Sequence, residues 1–200
     1  ITYYPFEHKS SPALALACCG RLFCVIAELT DPGSRLSSYL CGIMKVQFIV
    51  IGRTVEKRLT AMINEYVDRV NHYIPFELEV IPELKNTKSL TPELQKEKEG
   101  ELLQKQLREG DWVVLLDEGG KEFRSIEFAA YLEKKHTQAA RRLVFIVGGP
   151  YGFSPAIYTL AKEKVSLSKM TFSHQMVRLF FVEQLYRAMT ILRGEPYHHE

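Results

Sequence analysis

Apolar positions along this chain follow two periods, and from residue 45 onward the two take turns. Residues 45–51, Lys-Val-Gln-Phe-Ile-Val-Ile, form a short apolar run that predicts a strand. Over residues 54–73 the apolar positions are Val55, Leu59, Met62, Ile63, Tyr66, Val67 and Val70, the three-and-four spacing of a helix that buries one face. Pro75 ends it, because its ring has no N–H for the ladder. Residues 76–81 alternate with period two, as a strand with one wet face does. Thr91-Pro92-Glu93 then reads as an N-cap, a first-turn proline and an acid favoured by the helix dipole. The helix behind it, to about residue 108, is mostly charged and is expected to lie on the outside, stopped by Gly110.

The later elements are more apolar. Residues 112–116 and 143–147 are continuous apolar runs, typical of central strands covered on both faces. Residues 117–121, Asp-Glu-Gly-Gly-Lys, predict a turn, and Ser125 is expected to cap a helix through about residue 135. Ser154-Pro155 opens a short helix, residues 164–168 make a brief strand, and a final helix runs from about 174 to 193. Strands alternating with helices predict one α/β domain with a mainly parallel sheet over residues 44–200.

Composition changes the picture at one boundary. All four cysteines (Cys18, Cys19, Cys24 and Cys41) precede residue 44, and all five methionines lie at or after it. Residues 13–29 are apolar, but Arg21 interrupts them and no basic stretch precedes a clean apolar block, which argues against a targeting segment. Residues 1–43 are therefore expected to be an extension outside the domain, disordered or translated from upstream of a true start at Met44. A cysteine-free body suits the reducing cytoplasm. The formal charge of +2 marks no general nucleic-acid binder, so any RNA contact must come from a local patch.

Familiar nucleotide and metal signatures are absent. The first strand leads into Gly52 alone, without the glycines a dinucleotide turn requires, and no Gly-Lys-Ser/Thr triplet offers a P-loop. The body has no cysteine, and its histidines lack ligand spacing, so no metal is expected. Two loops are candidates instead. Gly148-Gly149-Pro150-Tyr151-Gly152 leaves a buried strand, where glycines let a ligand approach main chain, although a tight strand-to-helix turn reads the same way. The stretch from Ser166 to His174 is rich in hydroxyls before a helix start, which suits a polar ligand and equally a plain cap by Ser173. The final helix carries two apolar stripes, one through Phe181, Leu185 and Met189 and another through Leu179, Val182 and Tyr186. One is expected to pack on the sheet and the other on another copy of the chain. Arg178, Arg187 and Arg193 on that helix are candidates for phosphate or for ion pairs, and the tail Tyr197-His198 can stack on an unpaired base.

Taken in order, these residues resemble the ribosomal large-subunit methyltransferase H family. The resemblance rests on Met44-Lys45-Val46, Leu116-Asp117 and Gly148 to Ser154, on Phe172-Ser173-His174-Gln175-Met176-Val177-Arg178 and Glu183-Gln184-Leu185-Tyr186-Arg187-Ala188, and on Pro196-Tyr197-His198. It covers residues 44–200 and implies the SPOUT fold, an α/β domain with a C-terminal trefoil knot, assembled as a homodimer. It also implies S-adenosylmethionine as cofactor, held by Leu116, Gly149, Ser168, Lys169, Met170, Thr171, Phe172 and Ser173, and methylation of N3 of a pseudouridine in 23S rRNA of the assembled ribosome. His174, Arg178, Tyr197 and His198 are the polar groups expected at the base, with Tyr197 and His198 supplied by either subunit. The rival readings are a non-catalytic α/β module that binds RNA or the ribosome, separable by cofactor affinity, and a SPOUT enzyme with another RNA target, separable by substrate choice.

Overall fold

A computed structural model describes residues 44–85, 87–138 and 142–198. The expected extension over residues 1–43, with its four cysteines, lies outside the described residues. Five strands, β1 (Lys45–Ile51), β2 (Phe76–Ile81), β3 (Trp112–Glu122), β4 (Arg142–Val147) and β5 (Glu163–Ser166), pair in the order β2-β1-β4-β3-β5. Every pairing is parallel. Helices α1 (Lys57–Asn71), α3 (Ser125–Thr137) and α5 (Met176–Leu192) cover one face, and α2 (Pro92–Gln104) and α4 (Pro155–Leu160) the other.

The alternation of β1 shows why its sequence is a continuous apolar run. Val46, Phe48 and Val50 enter the core shared with α1, α3 and α5, while Ile49 and Ile51 enter the core under α2 and α4. Phe181 of α5 anchors the first core, with its ring 4.4 Å from that of Phe48 and 4.7 Å from that of Phe145. At the opposite end of the strands, Arg142 forms a buried ion pair with Asp111, and also donates to Gln47 Oε1 at 2.7 Å and to the Gln106 carbonyl at 3.0 Å.

Four expectations change. Residues 117–121 are not a turn: β3 pairs with β5 through Leu116, bulges over four residues, and resumes pairing at Lys121 and Glu122. Turn-forming residues here serve a bulge, because the parallel partner strand carries on past them. Gly120 makes this possible, since a Cβ there would stand 2.5 Å from the Val165 carbonyl carbon and 2.6 Å from its nitrogen. Ser125 is the first residue of α3 and not its cap. Glu127 Oε2 accepts instead from the Arg124 N–H at 2.8 Å, and the Ser125 hydroxyl donates to Gln184 at 3.2 Å.

The charged α2 is not a merely solvated helix. It ends at Gln104, where i→i+3 bonds tighten the chain toward Arg142, and it buries Gln95, Glu99, Gly100 and Leu103. Gly100 lets it close on α4, since a Cβ there would reach the Ser154 hydroxyl at 2.5 Å. The second stripe of α5, finally, is covered within the chain. Leu179 packs with Leu59 and Ile63 of α1, and Val182 joins the main core. Three helices side by side give α5 neighbours on both flanks, which one stripe on a sheet could not satisfy. Of its large side chains, Met176 and Phe180 remain exposed, at 38% and 39%.

Candidate functional site

The bulge within β3 at residues 117–120 and two segments that leave the C-terminal ends of β4 and β5, the glycine loop at 148–153 and the hydroxyl loop at 167–174, enclose a cleft of about 440 Å³. Ligands of open α/β sheets bind at this end. Leu116, Gly149, Ser168, Met170, Thr171 and Phe172, all expected at a cofactor, line this single cleft. Lys169 and Ser173 do not. The Lys169 ammonium reaches outward, 4.0 Å from Glu122, and the Ser173 hydroxyl accepts from the Met176 N–H at 3.3 Å in the turn ahead of α5, whose N-cap is Gln175.

Local bonds fix both loops. Gly152, at φ +83°, donates its N–H to the Gly149 carbonyl at 3.0 Å, so the glycine loop is at once a tight turn and a wall of the cleft. Ser166 donates to the Ser168 carbonyl at 3.0 Å, and the Ser168 hydroxyl accepts from the Met170 N–H at 3.0 Å. The wall formed by the bulge holds groups that the sequence reading missed, Asp117 and Glu118. Asp117 accepts from the Gly119 N–H at 2.9 Å and from the Tyr158 hydroxyl at 2.6 Å. Burial, then the bond to Asp117, pushes the Tyr158 phenol up to about 12. Two acids followed by two glycines at the end of a buried strand were the signal available for this wall.

A second cavity, of about 290 Å³, lies behind the glycine loop and shares Gly149, Pro150 and His174 with the first. Arg178 borders it, 3% exposed, and ties the start of α5 to the end of β1 by donating to the Ile51 carbonyl at 2.7 Å and to Thr54 Oγ1 at 2.9 Å. Glu99 of α2, also 3% exposed, accepts from Gln95 at 2.8 Å, while its other oxygen has no partner among the described residues. Burial pushes the Glu99 carboxyl up, against the bond from Gln95 and with help from nearby Glu83. Only a glycine fits at 149: a Cβ there would strike the Glu99 carboxylate, with Cδ at 2.7 Å.

His174 stands at the rim where the cavities meet. Its imidazole is held below the ordinary histidine range by partial burial and then by the charge of Arg178. Tyr197 and His198 line neither cavity: after α5 the chain turns back, and the Tyr197 ring lies along the middle of that helix, 4.8 Å from the ring of Tyr186. Tyr197 there bonds Glu183 at 3.2 Å and lies 3.3 Å from the Tyr66 hydroxyl, with the Arg187 guanidinium 4.7 Å from its ring centre. Within one chain, then, His174 and Arg178 are brought to the cavities and the tail is not. Arg187 is paired with Glu183, and Arg193 lies over Tyr73. Among the described residues, no group of three or more His, Cys, Asp or Glu is placed to hold a metal, and no helix is long and apolar enough to cross a membrane.

Comparison with known proteins places these features in a family. A family model described as "Predicted SPOUT methyltransferase" matches residues 44–198. The chain is 67% identical over 157 residues to the ribosomal RNA large subunit methyltransferase H of Bacteroides fragilis, spanning 78% of this chain and 100% of that protein. It is 56% identical over 156 residues to the protein of that name from Christiangramia forsetii, spanning 78% and 99%. For the one from Porphyromonas gingivalis the identity is 52% over 157 residues, spanning 78% and 100%. The chain therefore belongs to the SPOUT methyltransferases and, among them, to the ribosomal RNA large subunit methyltransferase H family.

Proposed function

We propose that this chain transfers a methyl group from S-adenosylmethionine to N3 of a pseudouridine in the 23S rRNA of the assembled ribosome, working in the cytoplasm as a homodimer. The observation that carries this reading is the single cleft in which the bulge, the glycine loop and the hydroxyl loop meet. Its volume lies in the range of small-ligand pockets. The residues fit the cofactor: Leu116, Val147 and Leu167 give an apolar floor for adenine, Gly148 and Gly149 let main chain approach, and Asp117 and Glu118 put negative charge where a sulfonium and an ammonium are to be held. When bound, the cofactor supplies an already activated methyl. The chain's task is alignment and removal of the N3 proton.

Residues 44–200 form the methyltransferase domain in this reading, a view supported by the full length of the relatives that they cover. We read the path from edge strand β5 back to β1, where Arg178 docks, as the C-terminal segment passing through a loop to make the trefoil knot. That Tyr197 and His198 line neither cavity of their own chain favours a site completed by a second copy, with the exposed Met176 and Phe180 near the cleft as apolar contacts between copies. His174 is the proton acceptor, because it is neutral near pH 7 and faces both cavities.

Calorimetric titration with S-adenosylmethionine, followed by methyl transfer to ribosomes lacking the modification, tests the proposal. Binding with transfer to 23S rRNA is expected. Absence of binding favours a non-catalytic module, and transfer to tRNA in place of ribosomes means another target.

The role of His174 has its own test. Its neighbours in charge are Asp117 and Glu118 in the cleft, and Arg53, Glu83, Glu99 and Arg178 in the second cavity. A base must be unprotonated, and this imidazole titrates below its ordinary value of 6.5. Transfer should therefore stay level through neutrality and fall only as pH drops below about 6.5, with a unit slope of log rate against pH. His174→Gln should remove that limb along with most of the activity. An unchanged profile in the variant would exclude the role.

A further inference from the structure

The second cavity has charged walls of both signs and two buried polar atoms with no partner. Arg53 and Arg178 oppose a cation there, and Glu83 and Glu99 oppose an anion. A neutral, polar occupant that both donates and accepts is what remains. Glu99 Oε2 and Arg178 Nε are both buried without partners among the described residues, and both residues are 3% exposed. They do not satisfy each other. A buried acceptor and a buried donor left open at one small cavity point to a ligand edge that brings an N–H and a carbonyl.

Position narrows the ligand further. Glu99 lies directly behind Gly149, and Gly149 and Pro150 border both cavities. A planar ring held against this thin wall can present one edge to the cofactor cleft and a neighbouring edge to Glu99. About 290 Å³ admits a single pyrimidine ring. Around pseudouridine the groups run N1–H, C2 carbonyl, N3–H. In uridine, N1 carries the sugar and donates nothing.

Resting on the proposed function, we propose that the cavity behind the glycine loop seats the target base and that Glu99 is its specificity residue, accepting the N1–H that distinguishes pseudouridine from uridine. Glu99 lines the cavity, and with Oε1 held by Gln95 it is the unpartnered Oε2 that accepts from the ring. With N1 bound there, N3 on the other side of the C2 carbonyl faces the cleft and His174. Uridine would leave Glu99 buried and unpaired, so discrimination follows from the missing donor and needs no steric clash.

The test compares methyl transfer by the full chain to ribosomes carrying either pseudouridine or uridine at the target. The native chain should prefer pseudouridine by about 10- to 100-fold, the worth of one hydrogen bond to a charged group. Glu99→Met keeps the shape without an acceptor and should bring the preference close to one. Glu99→Gln, which retains an acceptor oxygen, should keep part of it. Cofactor affinity measured alongside shows whether each variant is folded. If Glu99→Met fails to bind cofactor, the native chain on N1-methylpseudouridine decides instead: transfer at least about 10-fold slower supports the reading, and an undiminished rate overturns it. A native chain selective for pseudouridine whose preference survives in Glu99→Met also overturns it. A native chain that methylates no ribosome at all sinks the proposed function, and this inference with it.

Discussion

Gly149→Val should cut methyl transfer by roughly 100-fold or more, the size of effect expected when a reacting group is displaced by about an ångström. The cause is not a side chain filling the cofactor cleft. A Cβ at 149 points backward into Glu99, with Cδ at 2.7 Å and Oε1 at 2.9 Å. Glu99 is buried and held by Gln95, so it cannot swing into water. The loop must lift instead, carrying Pro150 and the wall common to both cavities. Alanine adds the same Cβ and should already produce most of the effect. Pairing Gly149→Ala with Glu99→Ala removes the collision and should restore cofactor affinity, a coupling that a double-mutant cycle read by calorimetry would measure. Unchanged affinity and rate in Gly149→Val would sink both the cleft assignment and the geometry behind it.

Phe181→Ala should destabilise the domain by about 3–5 kcal/mol, the usual cost of deleting a buried aromatic ring. Phe181 is wholly buried between Phe48 of β1 and Phe145 of β4, so the cavity left behind has rigid strands on two sides and little freedom to collapse. For a domain of this size the melting temperature should fall by about 6–20 °C. Its neighbour Phe180 is a built-in contrast, since it is 39% exposed and rests on Phe172, so alanine there should cost clearly less. Thermal melts of the two variants decide it. Similar losses at 180 and 181 would mean that α5 is rotated from the orientation described.

The elements were legible where one period ran uninterrupted: β1, β2 and β4 appear at or within a residue of the expected positions. What misled was chemistry with two uses. Asp117-Glu118-Gly119-Gly120 has turn residues, yet whether they reverse the chain or bulge out depends on β5, more than forty residues away. The stripe through Leu179 and Val182 was legible as apolar, but what covers it is α1, a tertiary fact that no local pattern contains. The same holds for the strand order, which joins segments far apart in sequence.

Of the site, both loops were visible as candidates, and only the resemblance joined them into one pocket. Arg178 reads as a candidate for phosphate, an ion pair or the target base, and nothing local tells that it donates to the Ile51 carbonyl. Glu99 was lost among the charges of α2. Gly100 beside it, a poor helix former in mid-helix, was the sign of a close approach.

The bond from Arg178 to Ile51, spanning 127 positions, also sets a clock on biosynthesis. At about 5–20 residues per second, the ribosome that makes this chain needs roughly 6–25 s between adding Ile51 and adding Arg178. Throughout that interval the inner face of β1 has no Phe181 to cover it, and for nearly all of it the hydroxyl loop and His174 do not yet exist. The nascent polypeptide therefore exposes the surface most prone to stick while it is incapable of catalysis. A transcript broken before the codons for α5 yields a product that is inert and a natural client for chaperones and proteases.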